Sequence, residues 1–283
     1  MLIKTKCIKD QKYRIRFKFD LLLITMFAGI VNITKSMRFL WAIFLFCFNV
    51  FYIKAQEYNG TNGLLNVPSA ETDSAGTFRG AGMFLGERFL PSTFSSGYNT
   101  FGYVIGFTAW TWLEMSYAAS LLRYEVDGKL GFHNEDRRVN VKIRPLKEGK
   151  WWPAFAIGWD DINPRGLKGQ NGYFQNLYLV ASKHFDINGF EIGAHLAYRY
   201  YPSDKNRDRR GVAGGLTFVP RLGESLQGPK SWLQRPRFIV EWDGVGVNVG
   251  ADVLLWRHLF IQAALIHGQG FTGGLAYHYT IPF

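Results

Sequence analysis

The last segment of the chain, residues 271–283, reads FTGGLAYHYTIPF and decides the fold class. Side chains of a strand point alternately to opposite faces. One face of this segment is apolar or aromatic: Phe271, Gly273, Leu275, Tyr277, Tyr279, Ile281 and Phe283. The other face is small or polar: Thr272, Gly274, Ala276, His278 and Thr280. Tyrosine is common at membrane interfaces, so the pattern predicts a strand with one membrane-facing side.

The same alternation recurs along the chain after residue 56, as in residues 139–144, 190–200 and 245–255. Several of these segments approach the ~9–11 residues that a tilted strand needs to cross a bilayer. We predict twelve strands, at 77–86, 98–107, 110–120, 139–144, 151–159, 173–184, 189–201, 211–219, 236–243, 245–256, 258–266 and 271–282. An even number would place both chain termini on the periplasmic side.

A soluble β-sandwich is the alternative fold, because its strands also alternate. The strands here are longer than the usual ~5–6 residues of globular strands. Their polar faces also combine glycine and alanine with charge, which suits a curved barrel interior. We therefore predict an all-β transmembrane antiparallel barrel of about twelve strands, preceded by a signal peptide.

Loop lengths test the predicted strand order. The predicted external loops are long: 87–97, 121–138, 160–172 and 202–210. The first predicted periplasmic turns are short: 108–109, 145–150 and 185–188. This asymmetry is typical of outer-membrane barrels. The connection 220–234 breaks the rule, as does the tight external turn at 243–244. Either the strand count is wrong nearby, or residues 222–233 form a small periplasmic helix.

The N-terminal residues are typical of targeting sequence. Residues 37–55 have the charged n-region, the apolar h-region and the cleavage site of a signal peptide. Residues 1–36 are interpreted as a mis-called extension; a long basic region or a membrane hairpin is the alternative. Residues 56–76 are a lead-in or plug segment, and residues 77–283 are the barrel.

Charge and cysteine placement exclude several functions. The formal charge is +11, but residues 1–55 hold ten of the 33 basic residues and two of the 22 acidic ones. The remainder is nearly balanced, so nucleic acid is not an expected partner. Both cysteines, Cys7 and Cys47, precede residue 56. The predicted mature chain therefore has neither a disulfide framework nor a thiolate metal site.

Residues 60–70 read GTNGLLNVPSA, with Gly76–Thr77 following. Further along come KIRPL at 142–146, PAFAIG at 153–158, DDI at 160–162, GYF at 172–174 and YLVASK at 178–183. In this order the motifs resemble the YjbH family, also called YjbH/GfcD-like: envelope proteins associated with exopolysaccharide production. The residues that carry the resemblance are Gly60, Gly63, Pro68, Ala70, Tyr178, Leu179, Val180, Ala181, Ser182 and Lys183.

The resemblance implies an outer-membrane barrel that supports export or assembly of surface exopolysaccharide or capsule. A structural envelope barrel without a transported ligand is one alternative, and a barrel enzyme acting on lipid or glycan is another. Residues 60–70 form either an inward plug or periplasmic contact, or a short lead-in whose glycines and Pro68 set a turn. Residues 178–183 either line a ligand path or form a well-packed strand.

Six polar-face residues are the candidate lumen contacts for a ligand: Lys142, Arg144, Glu191, His195, Arg199 and Asp252. Phe283, with Tyr277 and Tyr279, resembles the C-terminal signal by which outer-membrane barrels are recognised for assembly. A hydrolase triad from Ser182, His195, His278 and Asp252 has no supporting local motif. We therefore expect no catalysis, no cofactor and no metal.

The expected location is the outer membrane of a Gram-negative bacterium. The expected partners are outer-membrane lipid and lipopolysaccharide, the barrel-assembly machinery, and polysaccharide with periplasmic export components. A basic rim in the predicted external loops would contact lipopolysaccharide phosphates: Arg137, Arg138, Lys205, Arg207, Arg209 and Arg210.

Overall fold

The computed structural model describes residues 58–90, 94, 97–162, 172–221 and 232–281, without the side chain of Lys205. The predicted extension at 1–36, the predicted signal peptide at 37–55 and Phe283 lie outside the described residues. So do residues 222–231, where a small helix was one of two possibilities.

Twelve antiparallel strands form one closed barrel in which each strand pairs with its neighbours in sequence. They are β1 Thr77–Leu85, β2 Thr100–Trp110, β3 Leu113–Val126, β4 Lys129–Leu146, β5 Ala154–Asp160, β6 Asn176–Ile187, β7 Phe190–Tyr200, β8 Gly211–Pro220, β9 Leu233–Trp242, β10 Val247–Leu255, β11 Leu259–Ile266 and β12 Gly270–Thr280. Two short 3₁₀ segments, Glu87–Phe89 and Asp204–Arg209, are the helical elements of the described residues. The predicted all-β antiparallel barrel of about twelve strands is confirmed.

The first and last strands close the barrel, with Thr77 opposite Thr280 and Phe84 opposite Gly273. The two threonine hydroxyls are hydrogen bonded at 2.8 Å. Closure leaves no open sheet edge, so every strand has a backbone partner on both sides. The alternating segment that ends the chain therefore supplies the seam of the barrel.

The alternation of the sequence becomes the two faces of the wall. In β12, Phe271, Leu275 and Tyr277 point outward and are about half exposed, whereas Ala276 and His278 are buried inside. The outer surface is apolar through its middle, with exposed aromatic residues towards both ends: Trp110, Trp112, Trp151, Trp152, Trp232 and Trp256 at one end, and Trp159, Tyr198, Tyr200 and Trp242 at the other. An apolar band between two aromatic girdles is the surface that a bilayer covers.

The β3–β4 hairpin corrects the predicted loop at 121–138. The strands continue to a two-residue turn at Asp127 and Gly128, both with positive φ. Residue 120 already pairs with Gly102 near the start of β2, so the hairpin rises beyond its neighbour. Polar side chains such as Arg123 and Glu125 appear on its outward face there, which removes the contrast between faces that a period-two pattern needs.

The barrel has two distinct ends. We call the end where β1 begins and β12 stops the terminal end, and the opposite end the loop end. The connections at the loop end are 86–99, 127–128, 161–175, 201–210, 243–246 and 267–269. Those at the terminal end are 111–112, 147–153, 188–189, 221–232 and 256–258. The long connection after β8 and the tight turn after β9 are therefore real features of a twelve-strand barrel.

No helix within the described residues is long and apolar enough to cross a membrane.

The apolar outward face predicts that a charged substitution there destabilises the barrel. Leu196 lies mid-strand in β7 and is 61% exposed, so Leu196→Arg would put a charge at the middle of the apolar band. We expect this variant to lose about 2–4 kcal/mol of unfolding free energy in phospholipid vesicles, measured by denaturant titration. Leu130→Arg, at the tip of the β3–β4 hairpin, is the control and should cost little. Equal losses at both positions would contradict a bilayer-facing band.

Candidate functional site: a plug inside the barrel

Residues 58–73, which we call the plug, occupy the barrel lumen, and every one of them is buried. The segment folds back on itself through an antiparallel bridge between Gly63 and Pro68. Inside that bridge, the Leu64 amide donates to the Val67 carbonyl at 2.8 Å. The plug is thus a compact turn, and several of its other backbone groups bond to the barrel wall.

Glu241 of β9 holds the tip of the plug. Its carboxylate accepts the backbone amides of Leu65 at 3.0 Å, Asn66 at 2.9 Å and Val67 at 3.1 Å. The Asn248 side chain donates to the same carboxylate at 2.8 Å. Consecutive amides that converge on one anion form a nest, and hydrogen bonds to a charged acceptor are stronger than neutral ones.

An ionic cluster anchors the plug nearer the terminal end. The buried carboxylate of Glu114 forms ion pairs with Arg79 and, at 2.7 Å, with Lys142. Glu114 also accepts the Asn62 amide at 3.0 Å, while Lys142 donates to the Asn62 carbonyl at 2.7 Å. Arg79 reaches Asp73 of the plug at 3.5 Å. Because these charges are buried together, removing one would leave its partners uncompensated.

Two arginines bond to plug carbonyls from other strands. Arg199 of β7 donates to the Asn66 carbonyl at 3.1 Å and also to the Asp243 carbonyl. Arg237 of β9 donates to the Gly63 carbonyl at 3.3 Å and pairs with Asp252 at 2.8 Å. Carbonyls that the plug turn leaves unpaired are therefore satisfied by wall cations.

Lumen-facing glycines leave room for the plug's leucines. A Cβ at Gly215 would lie 2.5 Å from Leu64 Cδ2, and one at Gly250 would lie 2.9 Å from Leu65 Cδ2. Leu64 is fully buried and Leu65 is 2% exposed. Small residues on the inner face thus have a packing role, since no side chain could replace them without moving the plug.

Aromatic residues close the lumen at the loop end. Tyr58 packs edge-on against Phe89 at 4.7 Å between ring centroids, and Phe94 against Phe174 at 5.1 Å. The Arg138 guanidinium lies 4.0 Å from the Phe174 ring centroid. Loop residues thus fold over the plug, and a cation–π contact joins them to the wall.

A small cavity lies between the plug and the wall. A cavity of about 20 Å³ lies beside Tyr58 and Leu65, against Phe260 of β11 and Ala276 of β12. A volume of this size holds about one water molecule. This cavity is therefore too small for a sugar.

The six predicted lumen contacts separate into two groups. Lys142, His195, Arg199 and Asp252 are buried inside the barrel. Of these, Lys142 and Arg199 bond to the plug directly. Arg144 and Glu191 instead lie at the terminal end of the wall.

The two residues at the terminal end bond to groups of the wall and its turns. Arg144 donates to the Thr111 carbonyl in the β2–β3 turn at 2.6 Å. Glu191 pairs with Arg235 at 2.9 Å, and both side chains are about one-third exposed. Both lie on the inner-face positions of their strands, near the barrel rim, and their contact with a ligand stays a prediction.

The family-like segment 178–183 alternates along β6. Tyr178, Val180 and Ser182 point inward and are buried, whereas Leu179 is half exposed on the outer face. Ala181 shares that outer face. Lys183 reaches down to the 147–153 loop, where it pairs with Glu148 at 3.0 Å.

Ser182 and His195 are adjacent, with 2.8 Å between Ser182 Oγ and His195 Nδ1. Ser182 Oγ also accepts the Ala70 amide at 2.8 Å, so the serine is part of the plug contact. His278 lies on β12 and Asp252 on β10, where Asp252 pairs with Arg237. Ser182, His195, His278 and Asp252 therefore do not form a catalytic triad.

The predicted basic rim is smaller than expected. Arg137 and Arg207 are exposed at the loop end, paired with Glu135 and Asp204 respectively. Arg138 and Arg209 are buried, so they cannot contact lipopolysaccharide. The error for Arg138 follows from the unrecognised extension of β4, which turns that residue inward. The remaining rim residue with a described side chain, Arg210, lies over the Tyr200 ring at 4.6 Å.

Tyr277 and Tyr279 are on the outer face, and their role in assembly stays a prediction.

The sequence did not identify the acidic residues that hold the plug. Glu114 and Glu241 fall within the predicted strands 110–120 and 236–243, on lumen-facing positions. A buried carboxylate needs donors nearby. Acidic residues on the polar faces were therefore the signal that pointed to an inward segment rich in backbone amides.

The aspartate of the β9–β10 turn extends the plug contact to the loop end. Asp243 accepts the Asn66 side-chain amide at 3.0 Å. Burial by itself would raise the pKa of Asp243. The Arg209 charge and the hydrogen bonds from the Gly246 and Val245 backbone amides and the Asn66 side chain have the larger effect. Together they lower the pKa well below its usual range. The ionised form is thus the one that the fold stabilises.

A family model described as exopolysaccharide biosynthesis protein YbjH matches residues 55–225, more than half of the 283-residue chain. A search among curated proteins finds no match. A solved structure, the crystal structure of an outer membrane channel from Pseudomonas putida F1, is similar at 12% sequence identity and a TM-score of 0.37. The similarity covers 77% of this chain and 100% of that one.

We predict that Glu241→Ala releases the plug tip. Three buried amides would lose their acceptor, so we expect a loss of at least about 3 kcal/mol in unfolding free energy by denaturant titration. We also expect faster protease cleavage between residues 58 and 73. Glu191→Ala, at a partly exposed ion pair, is the matched control and should cost less than about 1 kcal/mol. Unchanged stability and cleavage in Glu241→Ala would count against the plug contact.

The lowered pKa of Asp243 predicts that the unfolding free energy depends on pH. Its pKa is lowered by folding, so its stabilising contribution is complete above the unfolded value of about 3.9 and is lost as pH falls through the folded value. The unfolding free energy of Asp243→Asn should therefore lie below that of the wild type by a constant amount from about pH 5 to 8, and the gap should narrow below about pH 4. A gap that widens in acid would reverse the predicted sign.

Proposed function

Because this chain belongs to the YjbH family of exopolysaccharide biosynthesis proteins, we propose that it is an outer-membrane barrel that supports export or assembly of a surface exopolysaccharide. The observation that carries the proposal is the placement of the family-like segment 60–70. That segment forms the central part of the plug and bonds to the wall through Glu241, Glu114 and Lys142.

The outer membrane is the proposed location. Its support is the apolar outer band between aromatic girdles, which would be unstable in water across so many strands. Outer-membrane lipid and lipopolysaccharide are the proposed contacts of this band and of the exposed Arg137 and Arg207. The barrel-assembly machinery is the proposed route of insertion.

A plugged lumen supports a gated conduit or an assembly scaffold over a wide passive pore. Twelve strands enclose more space than the filled interior of an eight-strand barrel, and less than an open porin. Here that space is occupied by residues 58–73. Polysaccharide could pass only after displacement of the plug, so periplasmic export components are the proposed partners that would move it. A catalytic role is not part of the proposal.

Deletion of the gene tests the proposed function. We expect loss or reduction of surface polysaccharide, measured by cell-surface sugar analysis, while the membrane barrier to detergent stays intact. Expression of the wild-type chain should restore the polysaccharide. A deletion strain with normal polysaccharide and a general envelope defect would support the alternative of a structural barrel and contradict the proposal.

A disulfide that fixes the plug to the wall would distinguish a conduit from a scaffold. The Ala70 amide contacts the Ser182 side chain, and both natural cysteines precede residue 56, so Ala70→Cys with Ser182→Cys would introduce a specific disulfide. For a conduit, the oxidised double variant should fail to restore polysaccharide and reductant should rescue it. The single variants are the controls. Full restoration by the oxidised double variant would indicate a scaffold whose plug stays in place.

A further inference from the structure

Three side chains that commonly ligate metals converge beside the plug, towards the terminal end. They are Glu71 of the plug, His184 of β6 and His195 of β7, and one ligand atom from each lies within 4.8 Å of the other two. His184 Nε2 lies 3.1 Å from Glu71 Oε1. The two imidazole rings lie 5.6 Å apart between centroids.

Each histidine is oriented by a partner on its other ring nitrogen. His184 Nδ1 lies 2.7 Å from Glu148 Oε2, and His195 Nδ1 lies 2.8 Å from Ser182 Oγ. The serine oxygen is itself fixed by the Ala70 amide at 2.8 Å. An outer hydrogen bond at Nδ1 fixes the ring and turns Nε2 towards the cluster, as in known carboxylate–histidine–metal arrangements. His195 Nε2 also lies 3.4 Å from Thr217 Oγ1, a contact that a metal would replace.

The wall leaves space between the two imidazoles. Gly193 lies there, and a Cβ at that position would be 2.8 Å from His195 Nε2 and 3.0 Å from His184 Cδ2. On the plug side, Glu71 Oε2 lies 3.8 Å from an Arg237 nitrogen, which leaves Oε1 directed at His184. Glycine and arginine thus keep the interval open and orient the carboxylate.

We propose that Glu71, His184 and His195 bind one divalent transition-metal ion, with Zn²⁺ the best-matched probe. Two histidines and one glutamate are a known zinc ligand set that keeps a fourth position open. Ligand atoms around tetrahedral zinc lie about 3.3 Å apart, so the cluster must contract by roughly 1.5 Å at most on binding. His184 is 20% exposed and Glu148 26%, which gives an ion a route from the terminal end.

The ion would join the plug to two wall strands. Glu71 belongs to the plug, whereas His184 and His195 lie on adjacent strands of the barrel. A ligand that binds the folded state alone stabilises that state by mass action. Metal binding would therefore retain the plug in the lumen, whether or not the protein handles polysaccharide.

The test is zinc titration of the full chain, folded in detergent and stripped with a chelator. We expect calorimetry at neutral pH to show one ion per chain, with a rise in unfolding temperature. Glu71→Gln, His184→Gln and His195→Gln should each weaken affinity about tenfold or more. His267→Gln, at the loop end, is the matched control and should bind as the wild type does.

Cobalt substitution gives a readout independent of stability. The Co²⁺-loaded chain should show the visible absorption of a site with nitrogen and oxygen ligands, and His184→Gln should lose it. Gly193→Ala keeps all three ligands but fills the gap between the rings, so it should also weaken binding. Circular dichroism would verify that each variant retains its strands. Absence of saturable binding to the wild type, or binding that survives all three ligand substitutions, would overturn the proposal.

Discussion

The carboxylate of Glu241 and the three backbone amides that converge on it constrain the whole interior. A buried amide without an acceptor costs free energy comparable to a lost hydrogen bond, and residues 65–67 present three of them in a row. A plug can therefore occupy this lumen only if the wall supplies hydrogen-bond acceptors at that point. Asn248 and the β9–β10 turn then complete the surroundings of the plug tip.

The rest of the inner wall follows the same rule of matched partners. Lys142, Arg199 and Arg237 supply donors where the plug presents carbonyls. Glycines such as Gly215 lie where the plug presents leucine side chains. Charged side chains in the lumen would suit a water-filled channel. Here most of those described above bond to the plug or to one another. The consequence for function is that any transported polymer would have to compete with the plug for the same groups.

The sequence was informative about the wall and less so about what the wall encloses. Period-two alternation predicted twelve strands and the apolar outer face, because a bilayer on one side and a polar lumen on the other impose the pattern directly. The pattern failed at residues 121–138, where the hairpin rises beyond β2 and both faces carry polar side chains. The plug contacts escaped prediction for a different reason. Partners such as Asn66 and Asp243 are far apart in sequence, and each looks like an ordinary turn residue by itself.

The Glu71, His184 and His195 cluster shows the same limit. The lead-in segment contributes one residue and two neighbouring strands contribute the others, so no linear spacing reveals them. Register decides the matter: Gly193 pairs with His184, and His195 pairs with Ser182, which places both imidazoles on the inner face around the glycine. Residue-level chemistry inside a barrel thus becomes visible only once closure and register are known.

The central claim is that residues 58–73 fill the lumen and keep it closed. Ion conductance across planar lipid bilayers tests it most directly, with the intact chain compared with one lacking residues 58–73. We expect the intact chain to conduct little and the deleted chain to form steady, much larger channels. Equal conductance from the two chains, large or small, would contradict it.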